Sequence, residues 1–433
     1  MASIPYSSKK HYLTGIDWAI QVLHRMTRRA SGCGNQFQVV FELEGLVHTS
    51  VLKEQLSAFL TRCPYLGGAP SRDFNPAPFW KIASSAPNIP LHLRTVQVVD
   101  EQEAHRALES DVNLPFQKTR EYFKVLHVAC AGRSFLGFTF DHRLFDGQGA
   151  ELFLEKFQSS FEGCAAGIPV ALEPAYLDPW AEKFDAGKKI NRHFIKLTEN
   201  LPIGTSPKIS GKAFANRFLA FSFDRDQTSS IIERATAQAG YLMFLPYALA
   251  VTVRAMSRVL SSGKSGASDW VIPVSIDMRA SEAGPAKIFF NQLSFFFFRI
   301  RAGEFEDLPK LIISIKAQLY EQMKHKTPWL LQQASMLMRI LPLPLFERML
   351  QSFLRKLPPS FSFSSMGETV FKADRFMDKK ILNIRHLPRI PNPPGVGVFF
   401  TQFQGKLNVV LSYLEGMLSD EEANLIVTEL RRM

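Results

Sequence analysis

The stretch Thr139–Phe153, TFDHRLFDGQGAELF, decides how this sequence reads. Before it lies an apolar strand-like run, SFLGFTFDH (134–142), and after it GAELFLEKFQSSFEG (149–163) has apolar residues at helical spacing, with Gly163 past its end. His142 therefore falls on a connection at a strand end, where rigid flanking elements hold the loops that carry catalytic groups. Ten histidines are present, and His-x-x-x-Asp-Gly would arise by chance in about 3% of such chains. The competing structural reading is a loop histidine followed by an aspartate that caps a helix.

Working outward, FKVLHVACAG (123–132) and SFLGFTFDH form an antiparallel pair turning at Ala131–Gly132–Arg133. Toward the N-terminus, Ile16 to Ala30 is helical, with Thr14 and Asp17 near its start, FQVVFELEG (37–45) is a strand, and 49–64 is a helix stopped by Pro64. Residues 183–213 are polar with few apolar anchors and read as a crossover. Beyond it come a strand at 218–223, a helix at 226–240 with Asp226 as N-cap, and a helix at 247–260. The loop SSGKSGASD (261–269) leads to strands at 270–279 and 293–303, the second a continuous apolar run of the fully buried kind. A helix at 307–326, a hairpin at 396–416 turning at Gln404–Gly405–Lys406, and a capped helix at 419–433 complete the pass. Strands and helices mix without strict alternation, so mixed sheets covered by helices are expected, not a doubly wound sheet.

The 433 residues carry 51 Lys and Arg against 40 Asp and Glu, a formal charge of +11, and 37 Phe against 9 Tyr. Cys33, Cys63, Cys130 and Cys164 show no CxxC spacing, so neither a disulfide framework nor a zinc site is expected, and a reducing cytoplasm fits. The first residues hold no apolar run of signal-peptide length, which points away from secretion. Trp329 to Phe346 is the most apolar long stretch, but Arg339, Pro342 and Pro344 argue against a transmembrane helix. GxSxG and HExxH are absent, and GKS at Gly263 lacks the earlier glycine of a P-loop. Basic residues are spread along the chain, apart from HRMTRRA (24–30) and FLRK (353–356), so nucleic-acid binding is not expected. Residues 329–356 read either as a core helix pair or as a pair that rests on anionic lipid or admits acyl chains.

The HxxxDG motif in this strand–loop–helix setting resembles the CoA-dependent acyltransferase superfamily, which includes chloramphenicol acetyltransferase and peptide-synthetase condensation domains. LTGIDWAIQVLH (13–24), RCPYLGG (62–68), VIPVSIDMR (271–279), NQLS (291–294), SFSSMGE (362–368) and the final hairpin occur in that family's order. The resemblance implies a mixed α/β (α+β) protein with two chloramphenicol-acetyltransferase-like subdomains, each a mixed sheet covered by helices, and an active-site tunnel between them. On that division 1–185 is the N-terminal subdomain, 186–213 the crossover linker and 214–433 the C-terminal subdomain.

The resemblance also assigns roles. His142 is the general base that takes a proton from a hydroxyl or amine as it attacks a thioester carbonyl. Asp146 holds the loop through an arginine, for which Arg279 is the candidate, and Gly147 permits a close approach. Asn291 lies in a matching segment, and Ser364 or Ser365 is offered as a donor to the oxyanion. The co-substrate is an acyl-CoA or a phosphopantetheine thioester on an acyl carrier protein, with no permanently bound cofactor and no metal, and the expected state is a monomer. Two departures matter: Asp141 stands where many relatives have a histidine, and the plant enzymes' DFGWG is absent. A stand-alone bacterial-type acyltransferase is the resulting expectation. The alternative is a catalytically idle relative that binds carrier proteins or acyl cargo.

Overall fold

The computed structural model describes residues 9–73, 77–82, 89, 91–118, 120–164, 168, 179–199, 215–260, 268–279 and 287–433. In chain order the first half comprises β1 (Lys10–Tyr12), α1 (Gly15–Ser31), β2 (Gln36–Glu44), α2 (Thr49–Leu60), β3 (Ala69–Arg72), β4 (Pro78–Lys81), β5 (His92–Val98), α3 (Glu101–Val112), β6 (Phe123–Cys130), β7 (Arg133–Asp141), α4 (Gly147–Phe161) and α5 (Trp180–Thr198). The second comprises β8 (Asn216–Phe223), α6 (Arg225–Ala239), α7 (Phe244–Leu260), β9 (Trp270–Asp277), β10 (Leu293–Ile300), α8 (Leu308–Lys324), α9 (Thr327–Met338), α10 (Leu343–Lys356), β11 (Ser362–Glu368), β12 (Arg375–Phe376), β13 (Lys379–Pro388), β14 (Val396–Phe403), β15 (Lys406–Leu414) and α11 (Asp420–Leu430).

Two six-stranded mixed sheets result, in the orders β12-β13-β2-β7-β6-β5 and β10-β9-β11-β14-β15-β8, beside a small β1-β4-β3 sheet. The β6–β7 turn places Ala131 and Gly132 at φ 45° and 80°, and the β14–β15 turn places Gln404 and Gly405 at 48° and 78°. Two consecutive left-handed residues match the twist of paired strands, which is why both hairpins close tightly. Helix α1 starts with a reciprocal Thr14–Asp17 capping box and stops at left-handed Gly32. Each lobe has its own core, and the large Phe side chains of β2, β7 and α4 fill the first. A third cluster, including Val40, Leu126, Phe135, Leu387 and Val410, packs between the two lobes. Among the described residues no single helix is long and apolar enough to cross a membrane.

Four expectations are corrected. Residues 186–198, the first part of the expected crossover linker, are helical and form the body of α5, which buries only Lys183, Ala186, Ile190 and Leu197. That stripe is too sparse to register as helical periodicity; residues 200–213 lie outside the described residues. Second, 214–433 is not confined to one lobe, because β12 and β13 cover the open side of β2 in the first sheet, with Val39 opposite His386. A buried amide pair ties this strand back to its own half: Asn383 Nδ2 donates to Asn408 Oδ1 at 2.8 Å, and Asn408 Nδ2 to Asn383 Oδ1 at 3.0 Å. Third, the N-cap of α6 is Asp224, whose partner Gln227 completes a capping box, not Asp226.

Fourth, β10 is not buried on both faces: it is an edge strand that alternates buried Phe296, Phe298 and Ile300 with half-buried neighbours. Its open backbone is satisfied by two α8 side chains one turn apart. Gln322 Oε1 accepts from Phe297 N and Gln318 Oε1 from Arg299 N, both at 2.9 Å, and each amide donates back to the same residue's carbonyl. Such pairing hides an edge that would otherwise template association. The GKS sequence at Gly263 lies outside the described residues.

Candidate active site

Strand β7 ends at Asp141, and the next residue is gripped at both ends of its peptide. The His142 N–H donates to Asn35 O at 3.0 Å, and its carbonyl accepts from Asn291 Nδ2 at 3.0 Å. Phe37 meets the imidazole edge-on, with ring centroids 5.3 Å apart. The ring is half-buried, and its Nδ1 has no hydrogen-bond partner among the described residues. Packing against Phe37 and the backbone clamp therefore hold this residue in place, without a side-chain hydrogen bond to any of the described residues.

Asn291 is the middle of a relay. The fully buried Asp17 carboxylate accepts from Asn291 N at 2.9 Å and Nδ2 at 3.3 Å, and its other oxygen takes Thr14 N and Oγ1 at 2.9 and 2.8 Å. Burial pushes the Asp17 pKa up, and these donors oppose only part of that push. Asp17 was legible in the sequence only as a helix-start residue; its second task, holding the segment under His142, comes from a partner 274 positions away.

Asp146 caps α4 by accepting from Gly149 N at 2.8 Å. The same oxygen meets Arg279 Nη2 at 2.7 Å, and the other accepts from Gln292 N at 2.8 Å. Both oxygens are thus taken, which leaves Asp146 a structural clamp and not a proton acceptor. Arg279 also bonds Asp277 Oδ1 at 2.7 Å and Lys287 O at 3.1 Å. Burial works against its charge, but the two aspartates hold it more firmly protonated than a free arginine. One charge pair so joins the His142 loop, the end of β9 and the strand entering β10, and Phe290 N–Leu144 O at 2.7 Å adds a backbone staple.

Asp141 lies fully buried and is forked onto Arg143, with Nη2–Oδ2 at 2.7 Å and Nε–Oδ1 at 3.0 Å. Burial opposes its charge, yet Arg143 and His24 keep the carboxyl below the usual range. Arg143 in turn lies over the Tyr122 ring at 5.2 Å. The residue before His142 therefore anchors the turn from beneath through an ion pair.

His24, 3.6 Å from Asp141, is pushed down to about 4 by burial, which outweighs the attraction of that aspartate. An unfolded histidine titrates near 6.5. Between those values the unfolded chain binds the extra proton, so stability falls as pH falls. From pH 7 to 5 this group accounts for about 2 kcal/mol. The pH-dependent loss in denaturant melts should accordingly be about 2 kcal/mol smaller in His24→Gln than in wild type, and equal losses would contradict a buried neutral ring.

The two glycines at the start of α4 do different things. A methyl on Gly147 would meet the tip of Met366 from β11 at 2.8 Å, a flexible end that can move. A methyl on Gly149 would overlap the Ile288 carbonyl, which cannot. The close approach expected at Gly147 is thus made chiefly by Gly149. Gly149→Ala should cost about 1–3 kcal/mol by overpacking, whereas Gly147→Ala should melt near the wild-type temperature; the reverse order would exclude this contact as the constraint.

Below Gly147 lies a second buried pair that the sequence did not signal, because its members are 235 residues apart. Glu151 Oε1 meets His386 Nε2 at 2.7 Å, while Oε2 accepts from Thr369 Oγ1 at 2.6 Å and Val370 N at 2.7 Å. Burial opposes the Glu151 charge, but His386 and these donors hold the carboxyl below its ordinary range. The His386 ring lies parallel to Phe37 at 6.4 Å, so Phe37 is set between it and His142. Of the two serines, Ser364 Oγ is 3.0 Å from Ser275 Oγ on the adjacent strand, and no hydrogen bond among the described residues links Ser364 or Ser365 to His142. Among the described residues no group of three or more His, Cys, Asp or Glu is placed to hold a metal.

No family model and no curated protein sequence matches the chain. Solved structures do. The first condensation domain of the CDA synthetase aligns over 98% of this chain and 95% of its own, at TM-score 0.71 and 14% identity. Trichothecene 15-O-acetyltransferase from Fusarium sporotrichioides aligns over 99% and 97%, at TM-score 0.68 and 14% identity. The epimerization domain from the third module of tyrocidine synthetase B aligns over 100% and 97%, at TM-score 0.59 and 12% identity. At these identities the likeness concerns architecture, and the chain has the mixed α+β, two-subdomain chloramphenicol-acetyltransferase-like fold of condensation domains and this acetyltransferase.

Proposed function

We propose that the protein transfers an acyl group from an acyl-CoA or a carrier-bound phosphopantetheine thioester to a hydroxyl or amine, with His142 as general base. The shared fold hosts condensation, acetyl-transfer and epimerization proteins, so the reaction has to be argued from the site. The observation that carries the reading is His142 itself: its backbone is clamped by Asn35 and Asn291, while its ring makes no hydrogen bond to any of the described residues. Nδ1 is buried, so the nitrogen left to accept the proton is Nε2, which makes no hydrogen bond among the described residues and has none to break first.

In the step proposed, the imidazole takes the proton from the acceptor O–H or N–H as that atom bonds to the thioester carbonyl carbon. The tetrahedral intermediate then expels the thiolate, which recovers the proton from the imidazolium. Its oxyanion needs a donor, a part we give to Ser364 or Ser365 by the resemblance alone. Asp146 and Arg279 position the loop and do not touch the reacting atoms. The surplus of 51 cations over 40 anions favours approach of a phosphate-bearing donor. We place the protein in a reducing compartment, in keeping with four free cysteines, and as a monomer.

The test is thiol release from a panel of acyl-CoAs and acyl-pantetheine thioesters, with alcohols, with amines and with neither. Release that depends on one acceptor class supports transfer and names that class. No release from any pair, with thioester bound all the same, would favour the idle, cargo-binding relative.

A further inference from the structure

One surface takes no part in the site. Leu345, Met349 and Phe353 recur every fourth residue along α10, so they form one stripe, and they are 50%, 40% and 38% exposed. Phe353 meets Phe194 of α5 edge-on at 5.3 Å, and beside it Ile195 is 58% exposed, so the stripe continues across both helices.

The same segments are predominantly basic. Arg348, Arg355 and Lys356 are exposed on α10, whereas its acid, Glu347, is buried against Arg25 and Arg29 of α1. α5 begins with the acids Glu182 and Asp185, the latter paired with Lys189 at 2.7 Å, and from there to its end bears Lys188, Arg192 and Lys196 with no further acid. Arg348, Arg355, Lys356 and Lys196 make no ion pair among the described residues. Arg355 and Lys356 complement the α10 C-terminus, but that does not explain three large apolar side chains in water. Single exposed apolar residues are ordinary; a continuous stripe rimmed by unpaired cations marks an interaction surface.

We propose that this α5–α10 face docks the protein on a membrane surface rich in anionic lipid. An interfacial helix lies in the membrane plane with apolar side chains inserted and Lys or Arg pairing to headgroups. The stripe suits that mode, since it runs lengthwise along α10 for about 12 Å and has exposed cations beside it on the same helix. The proposal is independent of the transfer chemistry.

The test is flotation of the full chain with phosphatidylcholine vesicles, with and without phosphatidylglycerol. The chain should float only with the anionic vesicles and be released by salt. Leu345→Glu with Met349→Glu should lower partitioning about tenfold or more, and Arg348→Gln with Lys356→Gln by about fivefold per cation, with melting temperature and thiol release unchanged in both. A wild-type chain that ignores anionic vesicles overturns the proposal, as does equal binding to neutral ones or full binding by both variants. Loss of an acidic carrier protein's binding in these variants, without vesicle binding by the wild type, would assign the face to a protein partner instead.

Discussion

His142→Ala should lower acceptor-dependent thiol release by about 10²–10⁴-fold while the protein melts at close to its wild-type temperature. The side chain is half-buried, its Nδ1 has no hydrogen-bond partner among the described residues, and the clamps to Asn35 and Asn291 run through its backbone. An alanine keeps both clamps, so the fold loses little and the chemistry loses its base. His142→Gln, with an amide near the same place but no useful basicity, should fall with it. A variant at full rate would remove His142 from the mechanism. A variant that fails to fold would show that the ring supports the structure, and His142→Gln would then separate the two roles.

The second large effect is on stability. Asp146→Ala should cost about 2–4 kcal/mol, because it removes the helix cap, leaves Gly149 N and Gln292 N without their acceptor, and leaves Arg279 with only Asp277 and the Lys287 carbonyl. Arg279→Ala should cost a similar amount by leaving the buried Asp146 carboxylate with only the two backbone donors of Gly149 and Gln292. The double variant should cost less than the two singles together, since each single already removes their shared pair. Asp146→Asn retains an oxygen for Gly149 and should fall between wild type and alanine. In the variants that still fold, kcat should fall more than KM rises, because the loop orienting His142 is loosened while substrate contacts stay. Melting curves and kinetics unchanged in Asp146→Asn would reject the clamp.

Local features of the fold were legible because their physics is local. The Thr14–Asp17 box, the Ala131–Gly132 and Gln404–Gly405 turns and the Ser419–Glu422 box of α11 each act within a few residues. Asp224 could also have been read, since Gln227 stands three residues on. The exposure of β10 was not legible, because four consecutive Phe look alike whether a strand is central or at an edge, and the glutamines that close it sit on another helix. Nor was the capture of β13 by the first sheet, a pairing between residues 39 and 386.

The site divides in the same way. His142, Asp146 and the adjacent glycines share one short stretch, and the strand bearing Arg279 was found through resemblance; the structure brings Arg279 to Asp146 at 2.7 Å. Asp141 and Arg143 are two residues apart, so their ion pair was within reach of a local reading. Asp17 and the Glu151–His386 pair were not, since each depends on chain brought in from the far half.

The most direct test of a base at His142 is the pH dependence of kcat/KM for thiol release, in wild type and His142→Ala side by side. The wild-type rate should rise through a single ionisation to a plateau, and the alanine variant should run far below it without that step. The same rise in both proteins would contradict the account.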